Sequence, residues 1–220
     1  MEDITINNAP YIRMLWPELV EPSEMDGKKR YGILAMLPVD DRALESLPGL
    51  TPDQKKTVLK KAADFKALVL AAAKKECPKV KAEDIFTDGD EYADAATEEY
   101  KSKKPEAKDL PEYLDSTRGF VTFRAKTQYK PAVYGPKAAE GVKPDEWTLE
   151  NMYGGAWVRA ALRGYAWTYM KKSGFSIGLG SQIQKWADAT KLGKGAADSA
   201  PPEDAMEVEQ PVASADDFLD

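Results

Sequence analysis

The chain has 220 residues, 43% of them hydrophobic, and a net charge of −6, which is enough to bury one good-sized core. It holds no histidine and one cysteine, Cys77, so Ser-His-Asp and Cys-His catalysis, HExxH zinc sites, cysteine-built zinc sites and an internal disulfide are excluded. There is no GxxxxGK-S/T phosphate loop, no leader pattern in MEDITINN, and no apolar run near the ~20 residues of a membrane span; the expectation is a non-enzymatic protein of a reducing compartment, with no cofactor, metal or membrane partner.

Residues 51–76 read as a helix. Thr51 suits the N-cap, Pro52 the first helical position, and Gln54 completes a capping box. Val58, Ala62, Phe65, Val69 and Ala72 then follow at spacings of four, three, four and three, one apolar stripe expected to pack on the protein's own core. A partner-binding helix is the alternative use of such a stripe. Pro78 ends the element.

Residues 79–117 are charged and irregular, an expected insertion with short helical pieces such as 95–103. Asp84, Asp88, Asp90, Glu91 and Asp94 cluster there, and hard divalent cations take such oxygens. Their spacing does not match an EF-hand loop. A solvated turn at Asp88-Gly89 is the simpler reading, because Asp and Gly favour turns for backbone reasons.

Two strands with a basic, ring-bearing face follow. In residues 118–126, Arg118, Phe120, Thr122, Arg124 and Lys126 alternate with Val121, Phe123 and Ala125. Tyr129, Lys130 and Tyr134 lie just beyond. In residues 154–168, Trp157, Arg159, Ala161, Arg163, Tyr165 and Trp167 share one face, opposite Ala156, Val158, Ala160, Leu162 and Ala166. Guanidinium groups neutralise phosphates and rings stack on bases, both features of single-stranded nucleic acid. The same pattern also suits an ordinary exposed face, where long stems cover neighbouring rings.

Tyr169, Lys171 and Lys172 are placed in a hairpin loop closed by Ser173 and Gly174. The next strand, residues 175–183, sets Phe175, Ile177, Leu179 and Ile183 against Ser176, Gly178, Gly180 and Gln182. Its glycines suit either close approach of another backbone or nucleic acid, or a bend.

Charge is partitioned along the chain. Residues 118–194 carry thirteen Lys or Arg against five Asp or Glu, a net of +8, and twelve of the twenty-one aromatic residues. Residues 196–220 carry eight acidic residues and no basic one, a net of −8. The acidic average therefore conceals a basic domain joined to an acidic tail. With three prolines and few large apolar residues, the tail reads as disordered. Its tip, Asp216, Asp217, Phe218, Leu219 and Asp220, suits a small basic pocket on a partner or the body's own basic groove.

The segments FVTFRAKTQYKP (120–131), MYGGAWVRAALRGYAW (152–167) and GFSIGLGSQIQKW (174–186) resemble the tailed-phage single-stranded DNA-binding proteins. APYIRMLWPELVEP, KKRYGILAMLP and FTDGDEYAD are similar to the same group, so the likeness spans most of residues 4–190. The resemblance implies an OB-fold barrel binding single-stranded DNA without sequence preference, and an acidic tail recruiting replication proteins such as a polymerase or primase-helicase. It also implies work in the cytoplasm of an infected bacterial host. Related tails often end on the aromatic itself, whereas Phe218 is followed by two more residues.

The resulting expectation is a mainly β fold with an α insertion: an OB-like barrel in residues 1–195, a helical insertion at about 51–117, and a tail at 196–220. The candidate DNA-binding residues are Arg118, Phe120, Arg124, Lys126, Tyr129, Lys130, Trp157, Arg159, Arg163, Tyr165, Trp167, Lys171 and Lys172. An RNA-binding or strand-annealing protein, and a metal-dependent nuclease built on Asp84 to Asp94, are the alternatives. Oligomeric state, including a homo-oligomer, stays open.

Overall fold

The computed structural model describes residues 4–6, 10–25, 27–47, 49–106, 110–135, 152–170 and 172–192. In chain order the elements are β1 (Ile4–Ile6), β2 (Tyr11–Met25), β3 (Lys28–Pro38), α1 (Pro52–Glu76), β4 (Thr87–Asp88), α2 (Gly89–Lys103), β5 (Phe120–Thr127), β6 (Ala132–Tyr134), β7 (Trp157–Tyr169) and β8 (Lys172–Ala187). Short 3-10 turns occupy Asp41–Ser46, Ala82–Asp84 and Glu112–Leu114.

The strand pairings run in a circle. β2 pairs antiparallel with β3, β3 antiparallel with β5, β5 parallel with β8, β8 antiparallel with β7, and β7 antiparallel with β2. β1 adds to β7, β4 to β5 and β6 to β8. The sheet thus closes on itself through five strands, and alternation puts one side chain in two inside.

Ile12, Met14, Ile33, Ala35, Leu37, Val121, Phe123, Ala125, Val158, Ala160, Leu162, Ile177, Leu179 and Ile183 form the inner core, as the period of two requires. Helix α1 adds Ala62, Phe65, Val69 and Ala73 to that cluster, with the Phe65 ring 5.8 Å from Phe123. The helix starts at the expected capping box, with Thr51 Oγ1 accepting from the Gln54 amide and the Gln54 side chain accepting from the Thr51 amide. Its stripe ends on Ala73 rather than Ala72, since at 3.6 residues per turn the next inward position after Val69 falls four residues on.

Two local expectations need correction. Helix α2 begins at Gly89, six residues before the expected 95, because Asp88 is an N-cap whose carboxylate accepts from the amides of Asp90 and Glu91. A Cβ on Gly89 would lie 2.0 Å from the Thr117 carbonyl oxygen, so the glycine serves a close approach rather than a solvated turn. In the hairpin, Tyr169 ends β7 and pairs with Lys172, the first residue of β8, so neither belongs to the loop. Met170 takes the positive φ of 45° that tight hairpins demand. Ser173 and Gly174 lie inside β8 instead of the loop, where a Cβ on Gly174 would meet the Trp167 ring at 2.4 Å.

A second buried cluster lies on the opposite face of the sheet. Tyr11, Leu15, Met36, Phe120 and Trp157 pack there with Ala43, Leu44 and Leu47, and with Val58 and Leu192. The 3-10 turn Asp41–Ser46 therefore roofs one end of the outer face, while the other end remains open.

Candidate nucleic-acid interface

The open part of the outer face is built by β7, β8, β5 and β3. Strand register lines up Arg163 with Gly178, Gly178 with Lys126, and Lys126 with Gly32. An adjacent row pairs Tyr165 with Ser176 and Arg124 with Leu34. A Cβ on Gly178 would stand 3.3 Å from Arg163 Cγ and from Tyr165 Cε1, and one on Gly32 would stand 3.0 Å from Lys126 Cγ. The glycines thus form a floor across which long side chains lie. Gly180 of the same strand as Gly178 is approached by backbone instead, since a Cβ there would lie 2.8 Å from the Ala161 carbonyl oxygen, beside the register shift in β7.

Rings and cations alternate across this face. Tyr165 and Trp167 are 37% and 39% exposed, which leaves ring surface available. Trp167 Nε1 donates to Ser176 Oγ at 2.9 Å, fixing the indole. Tyr169, at the hairpin end, is more exposed still, as is Tyr129 beyond β5. Arg124 is exposed, Lys126 is half-buried with Nζ 3.8 Å from Glu18 Oε2, and Lys130 and Lys172 are exposed. Those contacts leave a strip of positive charge beside stackable rings.

Four residues expected on this face have other surroundings. Trp157 is fully buried, its Nε1 donating to Ser46 Oγ at 3.1 Å, and Phe120 packs 5.9 Å from it. Both side chains point outward as their strand periods require, but the roof over that end converts them into core. Arg159 is half-buried, with its guanidinium 5.5 Å from the centre of the Tyr11 ring. Arg118 precedes β5 and is held by two carboxylates, donating from Nε to Asp115 at 2.8 Å and from Nη2 to Asp94 at 2.7 Å. The bonds to Asp115 and then Asp94 raise its pKa, and its charge ties α2 to the turn before β5.

The acidic residues are likewise engaged in local structure. Asp84 accepts from the Lys81 amide, Asp88 caps α2, and Asp94 holds Arg118. Asp90 accepts from Arg42 and from the Gly119 amide, which lower its pKa in that order. Among the described residues no three of His, Cys, Asp and Glu converge as metal ligands would. Lys171 and the tip residues Asp216, Asp217, Phe218, Leu219 and Asp220 lie outside the described residues.

The sequence reading missed the contribution of β3. In KKRYGILAMLP the even positions Lys28, Arg30, Gly32 and Leu34 share the outer face with Arg124 and Lys126, a basic end leading to a glycine. Tyr92 of α2, which lines the same cavity as Arg124, was also missed; its only local signal was an aromatic among acidic residues.

No curated protein sequence matches the chain. Two solved structures of the single-stranded DNA-binding protein from bacteriophage Enc34 share its fold. One, in complex with ssDNA, is 18% identical, covers 84% of this chain and 87% of its own, and superposes with a TM-score of 0.50. Another is also 18% identical, covers 89% and 95%, and gives a TM-score of 0.51. The family model described as the ssDNA-binding protein of Enterobacter phage Enc34 matches residues 2–218. The mainly β sheet with inserted helices and the near end-to-end match lead to one conclusion: the chain belongs to the Enc34 phage ssDNA-binding protein family.

Proposed function

We propose that this protein binds single-stranded DNA without sequence preference during phage DNA replication, recombination and repair, protecting the strand. The observation that carries the reading is the continuous strip Arg163, Lys126 and Arg124 beside the exposed rings of Tyr165, Trp167 and Tyr169. Cations track the backbone while rings stack on bases of any identity.

The five-strand circle reads as an OB-type barrel occupying residues 1–195. In that fold the second and third strands and the loops joining strands 1–2 and 4–5 form the ligand face. Counted around this circle they are β3, β5, the β2–β3 turn and the β7–β8 hairpin, which coincides with the open strip. Residues 196–220 serve as an acidic tail that recruits a polymerase or primase-helicase through Phe218. The protein works without catalysis, in the host cytoplasm; no helix among the described residues is long and apolar enough to cross a membrane.

A salt-series titration against matched single-stranded DNA, duplex DNA and RNA oligomers tests the reading. Preference for single-stranded DNA with a steep salt dependence is the expected result. Tighter binding to RNA would assign an RNA-binding role instead.

A further inference from the structure

β5 changes partners partway along its outer edge. Its pairs with β4 end at Thr122, and its pairs with β8 begin at Ala125, so Phe123 and Arg124 run along a seam. A cavity of about 290 Å³ opens at that seam. Leu34 of β3, Arg124 of β5, Ser176 of β8, Thr87 of β4, Tyr92 of α2 and Asp84 are among the residues that line it. Resting on the single-stranded DNA reading above, we infer that this seam pocket receives one nucleobase of the bound strand, with Tyr92 as a stacking platform and Arg124 on the adjoining phosphate.

The lining chemistry selects a base over a phosphate. Leu34 and the Tyr92 ring offer apolar surface to the flat faces of a base, and Tyr92 is 39% exposed, so its ring is available. Ser176 Oγ already accepts from the Trp167 indole, which leaves its own proton to donate to a base edge. Thr87 adds a second hydroxyl, able to donate or accept, so no single base is demanded. The negative charge of Asp84, which also lines the cavity, opposes entry of a phosphate. Arg124 makes no ion pair among the described residues and is exposed, placed to neutralise the phosphate that stays outside. The cavity size is at the small end of ligand sites, fitting one base rather than several. Tyr165, opposite Ser176 in register, carries the next stacking surface, so the pocket continues the strip.

The test titrates the full chain with oligo-dT and photo-cross-links it to oligo-dT carrying a 5-iodouracil. Tyr92→Ala is expected to weaken binding by about 5- to 150-fold, the loss of one stacked base, with an unchanged salt slope. Tyr92→Phe retains the ring and should bind as wild type. In the wild-type protein, cross-links should map to Tyr92 as well as to Tyr165 or Trp167. Wild-type affinity in Tyr92→Ala, with cross-links confined to Tyr165, Trp167 and Tyr169, would overturn the pocket while leaving the open strip as the binding site. Absence of any oligo-dT binding by wild type would overturn both.

Discussion

Trp157 and Phe120 stand 5.9 Å apart, ring centre to ring centre, beneath the 3-10 turn Asp41–Ser46. Each belongs to the outward-facing row of its strand, yet each is core. Trp157→Ala should therefore cost about 3–5 kcal/mol of stability as a large buried side chain is lost, read by urea unfolding. Trp167→Ala should cost clearly less stability than that and weaken oligo-dT binding by about 1–3 kcal/mol. The opposite assignment of losses would place the stacking face at the roofed end.

Salt dependence separates the arginines. Each phosphate contact on a single strand contributes about −0.7 to the slope of log K against log salt, so Arg124→Ala and Lys126→Ala should each flatten it by about that amount. Arg118→Ala should leave the slope alone, since its charge is committed to Asp94 and Asp115. A flatter slope in Arg118→Ala would return that residue to the DNA face.

Tyr153, Asp188 and Lys185 form a clamp at the end of β8. Tyr153 donates to Asp188 Oδ1 at 2.6 Å, and the buried Lys185 Nζ lies 2.5 Å from the same oxygen. Burial pushes the Asp188 carboxyl up, but the bonds from Lys185 and Tyr153 outweigh it and leave its pKa below the ordinary 3.8. Burial, reinforced by Asp188, pushes the Tyr153 phenol above its ordinary 10.0. A depressed carboxylate stabilises above its unfolded pKa and loses that contribution as pH falls through the folded value. A raised phenol is the reverse, stabilising below pH 10.0 and losing its contribution as pH rises beyond it. Unfolding followed across pH should thus show Asp188→Asn flattening the acid decline and Tyr153→Phe the alkaline one. Parallel pH profiles for wild type and both variants would dissolve the clamp.

The acidic cluster near α2 should behave as structure. Asp88→Ala is expected to cost about 1 kcal/mol through loss of the N-cap. Labelled DNA incubated with magnesium or manganese should stay intact with wild type and with Asp88→Asn combined with Asp90→Asn. Cleavage by wild type that vanishes in the double variant would make the protein a nuclease.

Tethered near a +8 stretch, a tail of net −8 should compete with phosphate for the same cations. Deleting residues 196–220 should tighten oligo-dT binding at low salt. The gain should fade as salt rises, because the Debye length is only about 8 Å at physiological strength. If the Phe218 ring is the tail's apolar anchor, Phe218→Ala should weaken capture of a replication protein with little change in DNA affinity. Equal affinity of full-length and truncated protein at low salt would show that the tail does not reach the DNA face.

Much of this architecture is local and was legible in the residues. The Thr51–Gln54 capping box, the α1 stripe through Phe65, and the inward sets Val121-Phe123-Ala125 and Val158-Ala160-Leu162 depend on contacts within one turn or one strand. Alternation also located the outward rows inside β5 and β7, whereas Arg118, expected to head the first of them, lies before the strand. Which part of a row meets solvent was decided elsewhere, because a strand's period fixes the side a residue faces and says nothing of what covers that side. Trp157 is capped by Ser46, 111 residues away, and Arg118 is taken by Asp94, 24 residues away. The seam beside Arg124 exists only because β4, β5 and β8, from three parts of the chain, meet on one edge. The sequence by itself determined a basic, aromatic β-face with an acidic appendage; tertiary packing alone decided how much of that face stays open, since burial there is set by long-range contacts.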